Sequence, residues 1–214
     1  MKNHTRKSSF VLTLAAGSLA LAAVGNAAAS TSPNFDSAGV SYVHFDLVND
    51  TVSGFGLDLE KSLNEDWFVS LDYVSGSETF RFSMAGEPAT SNLDFSVLTA
   101  NLGYKFYQRD EVVGYASAGL SSFRTKVGLT IAGNYTSDSD TDNALNAQIG
   151  VRQTLTEEIE LDANLRHIAY SDSDEQQINL GGRYKLSEQF VIGLGYTFSS
   201  TDFSYFSVSA RYRF

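Results

Sequence analysis

The chain has 214 residues, a formal net charge of −10 at pH 7, 11 Tyr, 15 Phe, two Pro and no Cys. The absence of Cys excludes disulfides, thiol catalysis, cysteine-ligated metals and a lipid-modified cysteine. The acidic excess argues against nucleic acid as a partner. After residue 29 the chain has no apolar run of the length found in helical membrane proteins, and its many aromatic residues favour strands.

The N-terminal segment has the features of a secretory signal. Three basic residues precede residue 8, residues 10–24 are apolar or small, and 27–29 is an alanine triplet of the A-x-A cleavage type. The apolar stretch is shorter than the ~20 residues of a spanning helix, which disfavours a retained anchor. We therefore expect 1–29 to be cleaved and 30–214 to form one domain.

The remainder of the chain alternates apolar and polar residues with the period of two that is typical of strands. Ten segments with this period are recognisable. They begin near Val40, Gly54, Trp67, Leu98, Val112, Leu145, Ile159, Ile178, Ile192 and Ser204. The count falls to eight if one weakly alternating hairpin lies outside the membrane. The phase of the fifth segment, 112–126, stays open because it is rich in Gly and Ala.

An apolar face opposite a polar one suits a strand between lipid and a polar lumen. In the first segment this pattern predicts Val43, Phe45 and Leu47 on the lipid face and Tyr42, His44 and Asp46 on the lumen face. For the other segments it likewise predicts apolar side chains outside and polar side chains inside.

The connections between segments differ in length. Short polar turns are predicted at 64–66, 108–111, 156–157 and 187–188. Of the opposite connections, those around 76–92 and 126–143 are long, and those near 49–51, 171–175 and 199–202 are short. Bacterial barrels place short turns and both termini in the periplasm. An aromatic belt is predicted beside the short turns, formed by Trp67, Phe68, Tyr104, Phe106, Phe190, Tyr212 and Phe214.

The last segment carries the most specific pattern. One face has Phe206, Val208, Ala210, Tyr212 and Phe214, and the other has Tyr205, Ser207, Ser209, Arg211 and Arg213. A final aromatic residue preceded by apolar residues at alternate positions resembles the signal that the barrel-assembly machinery reads in outer-membrane proteins. Strand-turn-strand units such as GVRQTLTEEIELDANLRH and GGRYKLSEQFVIGLGY add to the resemblance.

With these features, the mature chain resembles the small outer-membrane β-barrel superfamily of OmpA-like and porin-like barrel domains. The resemblance implies an all-β fold, a transmembrane antiparallel up-and-down barrel of ten strands in a Gram-negative outer membrane. It also implies outer-membrane lipid and lipopolysaccharide as surroundings, and the barrel-assembly machinery and periplasmic chaperones as partners during biogenesis. No nucleic-acid partner and no cofactor are expected.

Charged residues of the polar faces are predicted to meet in the lumen. The basic ones are Lys105, Arg152, Arg183, Lys185, Arg211 and Arg213, and the acidic ones are Asp58, Glu60, Asp72 and Asp162. These charges predict either a salt-bridged plug or a charge-lined constriction that selects small solutes. Inward glycines would leave space for water, but small barrels are usually nearly filled, which favours the plug.

Two features of the sequence bear on catalysis and metal binding. His44 and Asp46 share the predicted lumen face, which allows a His-carboxylate dyad, whereas His167 is predicted to face outward near the rim. The acidic segments 137–142 and 171–175 offer oxygen ligands for calcium but lack the Gly and Glu spacing of an EF-hand loop. We expect that the protein is not an enzyme and that it has no metal site. The predicted function is structural or narrow-pore, with surface interaction through the two long hairpins as the alternative.

Overall fold

The computed structural model contains ten antiparallel strands within the described residues, 32–46, 51–84, 86–171, 173–201 and 204–214. They are β1 (Ser37–Asp46), β2 (Thr51–Ser62), β3 (Trp67–Met84), β4 (Glu87–Arg109), β5 (Val112–Ile131), β6 (Asn134–Thr154), β7 (Ile159–Ala169), β8 (Asp174–Lys185), β9 (Phe190–Ser199) and β10 (Ser204–Arg213). Each strand pairs with its chain neighbours, and β10 closes the barrel on β1. The prediction of ten strands is confirmed. The predicted signal, 1–29, lies outside the described residues.

The two ends of the barrel differ. One end carries the beginning of β1, the end of β10 and the connections β2–β3, β4–β5, β6–β7 and β8–β9; we call it the terminal end. The opposite end carries the other five connections, and we call it the hairpin end. No helix in the described part of the chain has the length and apolar character to cross a membrane.

Four strands continue past the rim at the hairpin end. The strands β3 to β6 have 18 to 23 residues, whereas a spanning strand needs about 9–11. Pairing continues out to Met84↔Glu87 and Ile131↔Asn134. We call this extension, formed by 77–84, 87–94, 125–131 and 134–142, the outer sheet.

The predicted long loops at 76–92 and 126–143 are therefore wrong in extent. These segments are rich in Ser, Thr, Asp and Gly, a composition typical of loops, but they complete a regular ladder of paired residues. The β5–β6 turn consists of Ala132 and Gly133, both with positive φ, of 47° and 83°. Positive φ at both central residues is the requirement of a tight hairpin turn whose twist matches the flanking strands.

The outer wall of the barrel is apolar. Leu120, Leu145 and Leu194 are 63%, 69% and 58% exposed, as expected for side chains that meet lipid rather than water. Aromatic pairs border this band at the terminal end, with ring centroids 5.0 Å apart for Trp67 and Tyr104. Phe68 is a correction to the predicted belt. It is 2% exposed and packs inside the barrel, because consecutive strand residues face opposite sides and Trp67 faces out.

The predicted faces of β1 are reversed. Val43 and Phe45 are 1% and 3% exposed inside the barrel, and Tyr42, 55% exposed, points outward on the same face as His44 and Asp46. Leu47 lies outside the described residues. The prediction fails because it assumes a polar lumen, whereas Val43 and Phe45 join an apolar cluster inside the barrel with Val52 and Phe95.

The open question of the β5 phase is also answered. Val113, Tyr115, Ser117 and Ser121 are buried inside the barrel, and Leu120 faces lipid. The alternation is therefore regular, but on the inner face it mixes aliphatic, aromatic and hydroxyl side chains. That mixture hides the phase in the sequence.

Candidate functional site in the barrel lumen

Arg152 lies at the centre of an ionic cluster at the terminal end of the lumen. Its side chain is 2% exposed and makes a two-point contact with Glu60, where Nη1 donates to Oε2 at 3.0 Å and Nη2 donates to Oε1 at 2.8 Å. Its Nε donates to Asp162 Oδ2 at 2.8 Å. Because Glu60 belongs to β2 and Arg152 to β6, this contact crosses the lumen. The pairing satisfies charges that would be costly to bury alone.

Three further arginines complete this ionic cluster. Arg183 Nη1 lies 2.8 Å from Glu160 Oε1, and Arg213 Nη2 lies 3.4 Å from Glu160 Oε2. Arg211 Nη1 lies 3.1 Å from Asp58 Oδ2. We call the set of Asp58, Glu60, Arg152, Glu160, Asp162, Arg183, Arg211 and Arg213 the ionic floor.

The segment before β1 seals the ionic floor from the terminal end. Phe35 is 1% exposed, and its ring centroid lies 4.7 Å from that of Phe68 and 5.7 Å from that of Tyr115. The Arg152 guanidinium carbon lies 4.0 Å from the Phe35 ring centroid, a cation–π contact. The backbone of Asn34 is also held, since its carbonyl accepts from Arg152 Nη1 at 2.7 Å.

The remaining predicted lumen residues take less central positions. Lys105 Nζ lies 4.8 Å from the Phe35 ring centroid and donates to Ser62 Oγ at 3.3 Å. Asp72 lies deeper in the lumen, where its Oδ2 is 4.0 Å from Arg166 Nη2. Lys185 follows Arg183 on the inner face of β8 and forms no ion pair among the described residues.

Beyond the ionic floor the lumen widens into a cavity of about 570 Å³. One wall, formed by strands β10 and β1 to β5, is apolar and aromatic towards the hairpin end, with Phe45, Phe95 and Tyr205 among its residues. The facing wall, formed by β6 to β9, carries amides and hydroxyls. The cavity is therefore amphipathic rather than uniformly polar.

The polar wall is organised by a chain of hydrogen bonds. Thr197 Oγ1 donates to Asn179 Oδ1 at 2.6 Å, and Asn179 Nδ2 donates to Asn164 Oδ1 at 2.8 Å. Asn164 Nδ2 then donates to Asp162 Oδ1 at 3.0 Å, which joins this wall to the ionic floor through Arg152. Linked polar side chains of this kind hold one another in fixed orientations.

The mouth of the cavity at the hairpin end is electronegative. Tyr170 follows β7 at the rim, and burial together with the nearby carboxylates of Glu175 and Asp142 raises the pKa of its phenol to about 12. Ser171 Oγ donates to Asp142 Oδ1 at 2.8 Å, which joins the segment after β7 to an acidic side chain of β6.

At the terminal end, the pKa of the Asp36 carboxyl is shifted downward. Burial alone would raise the pKa of Asp36, but hydrogen bonds from Lys61 and Ser62 outweigh burial and lower it. Lys61 Nζ lies 2.7 Å from Asp36 Oδ1. This contact fastens the Phe35 segment to β2.

The structure does not assemble the His44–Asp46 dyad in the lumen, since both residues lie on the outward face of β1. His167 is exposed and faces outward, at the position predicted for it. The acidic segment 137–142 is part of strand β6 rather than a loop. Within the described ranges, no group of three or more His, Asp or Glu residues is arranged to hold a metal ion.

Sequence reasoning missed four residues that matter for the lumen. Glu160 shares the alternation of Asp162, so a stricter extension of that pattern to the end of β7 finds it. Arg166 lies on the predicted polar face but is not singled out. Tyr115 belongs to the strand whose phase is open. Phe35 precedes β1 and belongs to no repeating pattern, so its sequence carries no comparable signal.

A family model described as outer membrane protein β-barrel domain matches residues 10–198 of the chain. A search of curated proteins finds no match. Among solved structures, the attachment invasion locus protein Ail of Yersinia pestis, in complex with the heparin analogue sucrose octasulfate, is 16% identical, with 83% of this chain and 95% of that chain covered and a TM-score of 0.45.

Two further solved structures are similar. Neisserial surface protein A is 17% identical, with 83% of this chain and 95% of that chain covered and a TM-score of 0.38. The N-terminal β-barrel domain of Pseudomonas aeruginosa OprF is 14% identical, with 84% of this chain and 98% of that chain covered and a TM-score of 0.38. Because these identities and TM-scores are low, we infer no ligand or partner from them.

Proposed function

The chain belongs to the outer membrane protein β-barrel family and lies in the bacterial outer membrane, and on this premise we propose that its barrel is a closed anchor that presents the outer sheet at the cell surface. The observation that carries the proposal is the position of Phe35, which packs against Arg152, Phe68 and Tyr115 at the terminal end of the lumen. In this family the terminal end faces the periplasm.

A passive pore would require a continuous wet path, and the ionic floor opposes one. Arg152, the side chain that crosses the lumen, is 2% exposed and engaged by two carboxylates, and Phe35 covers it. Opening a path would separate buried ion pairs, each of which is costly to break. The closed anchor is therefore favoured over the narrow pore.

The outer sheet supplies the surface for interaction. It continues strands β3 to β6 beyond the length needed to cross a bilayer, as a paired ladder rather than as loops. Over 77–84, β3 pairs with β4 but not with β2, and over 134–142, β6 pairs with β5 but not with β7, so each has one edge without a strand partner among the described residues. Free strand edges are typical sites of β-strand addition by a partner.

We also propose that the chain is recognised by the assembly machinery and by periplasmic chaperones during biogenesis, and that it has no catalytic role. The outward face of β10 presents Phe206, Val208, Ala210 and Tyr212 at the barrel exterior, and Phe214, directly after β10, is also exposed, which supports their proposed role as the signal for the barrel-assembly machinery. Periplasmic chaperones would act before insertion, and lipopolysaccharide would surround the rim at the hairpin end. We infer no catalytic role, because the one His-carboxylate candidate faces away from the lumen.

Planar-bilayer recording of the refolded chain 30–214 tests the closed anchor. We expect no steady openings from the wild type. The same recording on a variant that lacks 30–36, and therefore Phe35, shows whether the ionic floor closes the lumen in the absence of Phe35. Steady wild-type openings whose ion selectivity shifts in Arg183→Glu would contradict the proposal and establish a charge-lined pore.

Truncation of the outer sheet tests its role in interaction. Replacing 80–91 and 128–137 each with Asn-Gly joins residues that already pair, Thr79 with Asn92 and Val127 with Asp138, and so preserves the register. Vesicles carrying the wild-type protein should bind components of an array of glycans and secreted proteins, and the truncated protein should lose that binding. Equal binding by the truncated barrel, or none by the wild type, would contradict the proposal.

A further inference from the structure

The lumen contains an apolar wall that barrel closure does not explain. Val43, Phe45, Val52 and Phe95 form a buried cluster near the hairpin end, with ring centroids 4.8 Å apart for Phe45 and Phe95 and 5.2 Å apart for Phe45 and Tyr205. Barrel interiors in the outer membrane are normally polar. Phe45, Phe95 and Tyr205 also line the 570 Å³ cavity. The two Phe rings are 3% and 4% exposed and offer little surface to it, whereas the partly buried Tyr205 offers more.

The cavity carries an excess of negative charge. Seven carboxylates and four guanidinium groups line it, which leaves three carboxylates in excess. Three of the guanidinium groups, those of Arg152, Arg183 and Arg211, are committed to the ionic floor. In the remaining part of the cavity, Arg166 alone among the lining residues opposes Asp72, Asp140, Asp142 and Glu175.

We propose that this cavity binds a small aromatic cation, an organic molecule with one ring and one ammonium group, which enters from the hairpin end. The ring would lie against Tyr205 and the small exposed parts of Phe45 and Phe95, and the ammonium group would face the carboxylates at the mouth. A volume of about 570 Å³ lies within the range of small-molecule sites, which are mainly apolar with a few placed polar groups. Aromatic faces also attract desolvated cations directly.

The carboxylates at the mouth support a cationic ligand. Asp142 and Glu175 line the cavity with Tyr170, and after burial they are the main causes that raise the pKa of Tyr170 to about 12. Because burial disfavours charge of either sign, only the contribution of the two carboxylates distinguishes a cation from an anion. A carboxylate or phosphate ligand would find one guanidinium group there, that of Arg166, which already donates to Gln148 and lies 4.0 Å from Asp72.

The test uses the refolded chain 30–214 in phospholipid nanodiscs, titrated with benzyltrimethylammonium by isothermal calorimetry. Benzenesulfonate keeps a ring but reverses the charge, and tetramethylammonium keeps the charge but lacks a ring. We expect saturable binding of benzyltrimethylammonium at one site per chain and at least about tenfold weaker binding of the other two probes, because each lacks one of the two contributions. Equal binding of benzenesulfonate, or no saturable binding of benzyltrimethylammonium, would overturn the proposal.

Two conservative variants locate the site. Glu175→Gln removes one charge at the mouth without changing side-chain size and should weaken benzyltrimethylammonium binding about fivefold. The matched control is Glu157→Gln, the same change on an exposed turn at the terminal end, where we expect binding within about twofold of wild type. Equal effects of the two changes would overturn the assignment.

Phe45→Leu keeps the apolar character of the wall but removes one ring, so it should weaken benzyltrimethylammonium more than tetramethylammonium, by about threefold. If Phe45→Leu weakened the binding of both probes equally, the aromatic wall would not be part of the site. Circular dichroism confirms that each variant is folded before titration. Ligand binding in the cavity needs no conductance, and the truncation of the outer sheet leaves Asp140 and Asp142 in place, so these outcomes are independent of the tests of the closed anchor.

Discussion

The two ends of the lumen show how one barrel serves two purposes. At the terminal end, charges from β2, β6, β7, β8 and β10 meet within hydrogen-bonding distance, and Phe35 fills the remaining space. At the hairpin end, the inner face is apolar on one side and acidic on the other, and the space between stays open. Since strand alternation is the same at both ends, the difference lies in which side chains occupy the inner positions.

The terminal end of the lumen contributes to the specificity of barrel closure, and the hairpin end contains the open cavity. Buried ion pairs contribute little net stability by themselves, because desolvation offsets their attraction, but removing one partner leaves a costly unpaired charge. The ionic floor therefore penalises any other closure of the barrel, since a shifted register would separate Glu60 from Arg152. Outside the ionic floor, the described residues that line the cavity form one ion pair, Arg166 with Asp72 at 4.0 Å, so the hairpin end depends much less on buried charge pairs.

The largest expected effect comes from breaking the ionic floor at its centre. Arg152→Met removes the contacts to Glu60, Asp162 and the Asn34 carbonyl, and it leaves two carboxylates without their main partner. We expect the free energy of unfolding to fall by about 3–5 kcal/mol. Urea titration in detergent, followed by the fluorescence of Trp67, measures this change.

A matched arginine substitution provides the control. Arg124→Met changes an exposed residue of β5 on the outward face near the hairpin end, where we expect a change within about 0.5 kcal/mol. Similar losses for the two variants would show that the ionic floor does not distinguish the two ends. Pairing Arg152→Met with Glu60→Gln should recover part of the loss, because one orphaned charge is then removed.

An intermediate effect is expected from filling space next to inward glycines. A Cβ at Gly103 would lie 2.2 Å from Phe68 Cζ, inside the packed group around Phe35. At Gly181, which lines the cavity, the nearest atom would be Leu194 O at 3.8 Å, an ordinary contact. Gly103→Ala should therefore destabilise the barrel by about 1–3 kcal/mol, whereas Gly181→Ala should leave the unfolding midpoint nearly unchanged.

Urea unfolding midpoints of the two glycine variants, measured side by side, check this difference in packing. Equal destabilisation would indicate that the lumen is filled as tightly beside the cavity as at the terminal end. A large effect at Gly181 alone would reverse the comparison.

The sequence predicts much of the fold because its strongest constraint is local. Lipid demands apolar side chains at alternate positions, and this demand is visible in β2 to β4 and β6 to β10, including the closing strand with Tyr212. The lumen has no equally uniform demand. A lumen position can hold a charge, a hydroxyl, a glycine or a phenylalanine, so β1 is assigned to the wrong faces and β5 to neither.

The candidate site is predictable only in part, for the same reason. Charges on one face of a strand must find partners, so the arginines and carboxylates of the ionic floor can be expected to meet. Which of them meet depends on the stagger of ten strands around the barrel, which brings Arg152 of β6 opposite Glu60 of β2. Phe35 and the aromatic wall depend on packing across the lumen, for which no local pattern exists.

The smallest expected effect concerns the attachment of the Phe35 segment and depends on pH. Asp36 Oδ1 accepts from Lys61 Nζ at 2.7 Å and from the Ser62 amide at 3.1 Å, and these contacts hold the pKa of Asp36 below its ordinary value of 3.8 despite partial burial. Its contribution is therefore fully present at pH values well above 3.8 and is lost as the pH falls through the lowered folded-state pKa.

Comparing wild type with Asp36→Asn isolates this carboxylate from all the others. Because Lys61 is half exposed, the difference in unfolding free energy at pH 6 should be less than about 1 kcal/mol. It should shrink steadily as the pH falls below 3.8, since protonated Asp36 then resembles the amide. Urea titrations at pH 6, 4 and 3 measure the trend. A difference that stays constant or grows towards pH 3 would show that the ionised carboxylate does not fasten the segment, and Arg152 and the Phe35 ring would then hold it.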